Sequence, residues 1–212
     1  MRHNILLNDT TGYYRLQEYI GPNPGYRKEI LDRIKERLDF TLACHSQVMT
    51  VPMVIRFPEG LQSTPDNNCF QYFIEEYRRR LSKHGFGPHY VWVTEQNLSC
   101  NRHYHLIWFL NGNKIRYFQI PPHEALLYWR MALKRFYNYD GSPDGLIQVC
   151  TVEQNGFRCG YIIRRHDDKL YNTILQHYSY YAKVNTKGST PDRIREFGAS
   201  IIRLSGLESN FQ

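Results

Sequence analysis

The sequence predicts an α+β domain built on a central antiparallel sheet of about five strands with packed helices. Three observations predict it. Two strand-period segments, HYVWVTEQ and RHYHLIWFL, stand either side of a short polar turn; helix-period segments alternate with strand segments along the chain; and 212 residues suffice for one well-packed core but hardly for two. The order is β-α-β-β-α-β-α, an arrangement expected to return its helices over one face of the sheet.

Taken in order, the first helix is expected to begin near Pro24, because Ile30, Ile34 and Leu38 form one apolar stripe among charges. It is placed on the outside of the domain. Val48 to Phe57 is rich in β-branched residues and reads as a strand, with Pro52 pointing to an edge or a bulge. Thr64 is expected to cap a helix that starts at Pro65, carries Phe70, Phe73, Ile74, Tyr77 and Leu81 at 3-4 spacing, and closes at Gly85. The two strand-period segments follow. A further helix runs from Pro121 and Pro122 to about Tyr137, with Leu126, Arg130, Leu133 and Tyr137 at helical spacing. GLIQVCTV is the next strand, and the last helix is expected from about Asp168 to Lys187.

Composition narrows the class of partner. Lys and Arg outnumber Asp and Glu by 27 to 20, a net charge of +7, which favours an anionic partner. Aromatic residues make up 15% of the chain, seventeen of them tyrosines, so rings are available for core packing or for stacking on unpaired bases. Five scattered cysteines show no zinc-finger spacing and fit a reducing, cytoplasmic setting. No run approaches a membrane span and the start lacks the apolar core of a signal peptide, so no membrane partner is expected. No GxxxxGK[ST] phosphate loop occurs, which leaves any helicase to another protein.

Three features could carry chemistry. In RHYHLIWFL, strand alternation sends His103 and His105 to one face and Tyr104, Leu106 and Trp108 to the other. Nine histidines would give roughly 0.4 such pairs by chance, so the pair alone decides little. Glu95 adds to it, since a hairpin turning near Asn97 to Asn101 would set this carboxylate opposite His103 or His105. Two imidazoles and one carboxylate leave coordination positions open, which suits a catalytic metal site; the plain alternative is a surface glutamate beside two partly exposed histidines. The third feature is QHYSYYAKVNTKG: on a continuing helix Leu170, Ile174, Tyr178 and Tyr181 share an apolar stripe, whereas Tyr180, Lys183 and Lys187 gather on the other side. A phenol with a pKa of about 10 needs a polarised phosphate and nearby cations to attack at neutral pH, and Tyr180 is the tyrosine that the lysines accompany.

A His-x-His strand followed by a Tyr-x-x-Lys helix resembles the HUH endonuclease superfamily, although Tyr104 stands where an aliphatic residue is usual. The ordered set YVWVTEQ, HYHLIWFLNGNK, a helix bearing Trp129, GLIQV and YYAKVNTK is similar to the inovirus-type rolling-circle replication initiators of filamentous phages and prophages, over roughly residues 45 to 190. The resemblance implies an RRM- or ferredoxin-like HUH palm and a tyrosine that cuts single-stranded DNA at an origin, keeps the 5′ phosphate as an ester and frees a 3′ hydroxyl for a host polymerase. By the same resemblance His103 and His105 are metal ligands with Glu95 as a third, Tyr180 is the nucleophile and Lys183 the helix lysine. The mixed nitrogen and oxygen donor set is expected to accept Mn²⁺ or Mg²⁺, and Lys183 and Lys187 are expected to attract the DNA backbone. Val184 occupies the place of a second tyrosine, so one nucleophile per chain is expected unless Tyr178, Tyr181 or a second subunit helps. The expected division is an N-terminal helical extension (1–46), the endonuclease domain (47–190) and a C-terminal tail (191–212) whose LESNFQ ending has the form of a protease-site remnant. Two rivals stand beside this reading: a non-enzymatic single-strand-binding module with an RRM-like sheet, and a two-histidine, one-carboxylate iron oxygenase.

Overall fold

A computed structural model describes residues 4–7, 14, 16–17, 24–96, 101–115, 120–150, 152–154, 157–184 and 194–202. Its elements are β1 (Ile5–Leu6), β2 (Tyr26–Arg27), α1 (Lys28–Cys44), β3 (Gln47–Ile55), α2 (Asn68–Lys83), β4 (His89–Glu95), β5 (His103–Asn111), α3 (Ile120–Tyr137), β6 (Ile147–Val149), β7 (Val152–Gln154), β8 (Phe157–Cys159), β9 (Ile162–Arg164), α4 (Asp168–Tyr178), a 3-10 turn (Ser179–Ala182) and β10 (Phe197–Ala199). The class is mixed α+β, with an antiparallel sheet of six strands in the order β10-β4-β5-β3-β6 and β9 beside β6 on the outer edge of β3.

Pro52 lies in the middle of β3, yet no ladder bond to β5 is lost. In an antiparallel strand the N–H and C=O of one residue point the same way, and the Pro52 carbonyl accepts from Cys150 N on the far side from β5. The missing donor therefore faces the edge where β6 ends and β9 begins, pairing with Met53–Ile55 and Gln47–Met49 respectively. The edge that Pro52 predicted is real but lies along one side of an interior strand.

Helices cover both faces of the sheet, not one. Alternation along β3 sends Met49, Val51, Met53 and Ile55 to the face packed by α2 and α3, where Phe70, Phe73, Tyr77, Trp108 and Trp129 are fully buried. Val48, Val91, Val93, Ile107 and Phe109 face the opposite way, against Ile30, Ile34 and Leu38 of α1 and Ile174 and Tyr178 of α4. The stripe read on the first helix is thus the contact surface of α1 with the sheet. Both flanks set apart in sequence join this architecture, α1 through that face and β10 by pairing with β4.

Two helix starts differ from expectation. The α1 helix begins at Lys28 because Tyr26 and Arg27 pair with β1. The α2 helix begins at Asn68 rather than Pro65: Asp66 Oδ1 accepts from Asn68 N at 2.8 Å in an Asx turn, and Thr64 bonds to Tyr137 instead of capping. Its end is as read. Gly85 takes φ +73°, its N–H donates to Ser82 O and that of Phe86 to Leu81 O, closing a Schellman motif around an apolar pair. Among the described residues no helix is long and apolar enough to cross a membrane, and Cys44, Cys69 and Cys150 are free thiols.

Candidate metal centre and tyrosine turn

The β4–β5 register places Glu95 directly opposite His103, and Val93 opposite His105. Period-two alternation keeps all three polar side chains on the α1/α4 face, at the end of the sheet where apolar packing stops. Glu95 Oε2 lies 3.0 Å from His105 Nε2 and 3.6 Å from His103 Nε2. One ligand atom from each of the three residues falls within 4.8 Å of the others, so the group could hold a metal ion. The donor set fits: two neutral imidazole nitrogens and a carboxylate oxygen suit a divalent ion with open positions.

This cluster is more enclosed than the picture of a surface glutamate allows. Glu95 is 4% exposed and His105 8%, while His103 retains 20% side-chain exposure. Tyr104, between the two histidines, supplies the reason the strand stays fixed. Its ring stacks on Phe70 at 3.7 Å and its hydroxyl donates to Asn67 Oδ1 at 3.0 Å, so packing on one face holds the imidazoles in place on the other. Arg102, buried beside this strand, donates to Asn67 Oδ1 and to the Pro65 carbonyl.

Strand β5 and the tyrosine segment, about seventy-five residues apart in sequence, meet here. The α4 helix ends at Tyr178, and Ser179–Ala182 forms a 3-10 turn; Lys183, with ψ 138°, has left the helix. The expected helix to Lys187 therefore stops nine residues early, and Lys187 itself lies outside the described residues. The apolar stripe nonetheless holds for Ile174, Tyr178 and Tyr181, all buried. Tyr178 is 1% exposed, with its hydroxyl 2.6 Å from Thr50 Oγ1. Tyr180 is 39% exposed, and the Lys183 ammonium sits 3.9 Å from its ring centroid.

Among the described residues, two tyrosines border the cluster. The Tyr181 ring lies 5.1 Å from the His105 ring and that of Tyr180 6.3 Å. Their electrostatics differ. Burial, with Cys150 and Tyr178 close by, pushes the Tyr181 phenol well above its ordinary value, and Glu95 adds to the rise. Partial burial lowers Lys183, whereas Glu95 opposes that shift by favouring the charged ammonium. The sequence left open whether Tyr181 takes part, and the structure brings it beside His105; sequence reasoning missed Cys150, which hydrogen-bonds to Tyr181. For Tyr181 the signal was available in part, since a residue on the buried stripe of the last helix must touch the sheet that carries the histidines.

No curated protein sequence matches the chain. The model of the YagK/YfjJ C-terminal domain, a prophage-associated family, matches residues 10–200. That span takes in α1, the whole six-stranded sheet, the Glu95, His103 and His105 cluster and the tyrosine turn, and the chain belongs to the YagK/YfjJ C-terminal domain family.

Proposed function

We propose that the chain is an HUH-type single-strand DNA endonuclease and strand transferase that starts rolling-circle replication at an origin. The observation that carries this reading is the meeting of an acid and two histidines with a Tyr-x-x-Lys turn at one end of the sheet. Glu95, His103 and His105 would hold Mn²⁺ or Mg²⁺, which supplies polarisation of the scissile phosphate. Tyr180 is the nucleophile in this reading: it is the exposed member of the pair, and Lys183 lies against its ring. Its oxygen forms the new bond to phosphorus as the 3′ oxygen leaves, so the ester keeps the bond energy for rejoining. Tyr181, enclosed and with its phenol pushed far above neutral pH, shapes the wall beside His105.

Lys183 contributes a cation close to the site of attack, and Lys187 is a candidate backbone contact. The partners are single-stranded origin DNA and a host helicase and polymerase, in a cytoplasmic setting. The rival reading of an RRM-like binding module asks for an open sheet face on which bases stack; here α1 with α4 and α2 with α3 occupy the two faces, which supports the enzyme. An iron oxygenase would leave the tyrosine turn and the charge of +7 without a role.

The test is incubation with a pool of single-stranded oligonucleotides and Mn²⁺, followed by mass spectrometry of the denatured protein. A peptide carrying a 5′-phosphoryl oligonucleotide on Tyr180 is the expected product. Oligonucleotide binding with no denaturant-resistant adduct, at any metal concentration, would instead identify a binding module.

A further inference from the structure

Four residues of 3-10 turn are poorly self-supporting, because the i→i+3 bonds are strained and few. The turn that carries Tyr180 and Tyr181 is instead gripped by a segment more than 150 residues earlier in the chain. At the start of the turn, Gln17 N donates to Ser179 Oγ at 3.0 Å, and Gln17 Nε2 donates to His177 O at 3.3 Å. Beyond its end, Val184 N donates to Gly25 O at 3.1 Å, and Tyr26 forms an antiparallel bridge with Lys183. The Tyr26 hydroxyl donates to Gln17 O at 2.5 Å and so ties the two grips together. Ser179 is fully buried and Tyr26 is 3% exposed, while Gln17 is half-buried, so the bonds are partly shielded from water. Gly25 has φ +131°, and a Cβ there would come within 2.6 Å of Ile5 Cγ2, so this backbone is wedged between β1 and the turn.

We infer that Gln17 is a positioning residue: with Gly25 and Tyr26 it brackets the 3-10 turn at both ends and sets Tyr180 and Lys183 against the Glu95, His103 and His105 cluster. The inference rests on the endonuclease reading above for its consequence in chemistry, but not for its mechanics. Gln17 acts through its bonds to His177 and Ser179, at the root of the turn, rather than on the reacting atoms. A displacement of the nucleophile by about 1 Å can cost a hundredfold in rate, so a strap of a few hydrogen bonds is enough to matter.

Gln17→Glu is the discriminating variant, because it keeps the shape and replaces the donating amide by a carboxylate facing a carbonyl. Two measurements are made. Hydrogen exchange without DNA or metal should show faster exchange in the 177–184 segment than in wild type. Single-turnover adduct formation at saturating oligonucleotide with Mn²⁺ should slow by roughly three- to tenfold, the range of one lost hydrogen bond, with oligonucleotide and Mn²⁺ affinities held within about twofold. A role in stability alone would lower the melting temperature and leave the rate at saturation unmoved. Tyr26→Phe, which removes only the hydroxyl bond to Gln17 O, gives a second and milder variant should Gln17→Glu fold poorly, with the same direction expected in both measurements. Wild-type exchange in the 177–184 segment of both variants overturns the strap whatever the chemistry. A wild-type chain that forms no adduct refutes the endonuclease reading, and the strap then stands or falls on hydrogen exchange alone.

Discussion

Replacing each of three neighbouring tyrosines by phenylalanine separates catalysis from stability, because each hydroxyl sits in a different environment. The Tyr180 ring is 39% exposed, so losing its hydroxyl should cost at most about 0.5 kcal/mol. Tyr178 is fully enclosed, and its hydroxyl lies 2.6 Å from Thr50 Oγ1. Removing it breaks a buried bond, at a cost of about 1–2 kcal/mol. For a domain of this size about 1 kcal/mol moves the melting midpoint by roughly 2–4 °C, so Tyr178→Phe should melt roughly 2–8 °C lower and Tyr180→Phe within roughly 2 °C of wild type. The assay pairs thermal melts with a denaturing gel of the covalent oligonucleotide adduct formed in Mn²⁺. Tyr180→Phe should melt normally and form no adduct, whereas Tyr178→Phe should melt early and, below its midpoint, still form it. Tyr181→Phe should also remain active. An adduct that persists in Tyr180→Phe and vanishes in Tyr181→Phe would refute this reasoning and make the enclosed tyrosine, closer to His105, the nucleophile.

The metal assignment predicts that His103→Ala, the most exposed of the three ligands, abolishes adduct formation while melting near wild type, as chelation also should; full cutting by this variant at low metal would count against the site. His105→Ala should lose activity too, but with about 1–3 kcal/mol of stability, because it strips a buried carboxylate of its 3.0 Å neighbour. Lys183→Ala should slow cleavage more than it weakens binding, and a loss confined to affinity, equal across sequences, would make the lysine a positioning contact. Affinity for single strands should fall steeply as salt rises, with slopes measured by titration in two or more salt concentrations. Burial beside Arg37 and His45 lowers His89 to about 4; the unfolded chain then takes up the proton first, so stability that is full above about 6.5 should decline as pH falls toward 4. Denaturant titrations across that window should show a smaller decline in His89→Gln.

Much of the site was legible because strand geometry is local. Alternation alone put His103 and His105 on one face, and a short hairpin left few registers in which Glu95 could sit. The core residues read from helical spacing were equally local: Phe70, Phe73, Ile74, Tyr77 and Leu81 are all buried. Less legible were boundaries where a side chain overrode the pattern, as Asp66 did at the start of α2. The short strands β7 to β10 carried too few residues to show a period.

The sequence by itself determined which residues could chelate and which strand and hairpin would present them, since both follow from a repeat of two residues and a turn. It also determined the sidedness of Tyr178 and Tyr181, whose burial follows the apolar stripe of α4. Only the tertiary structure decided that helices cover both faces, because alternation in β3 is apolar on both sides and cannot say what lies beyond. Only it decided where α4 stops. The 3-10 turn exists where Gln17, Gly25 and Tyr26 bond to it, and contacts across some 160 residues leave no periodic trace in the segment they shape.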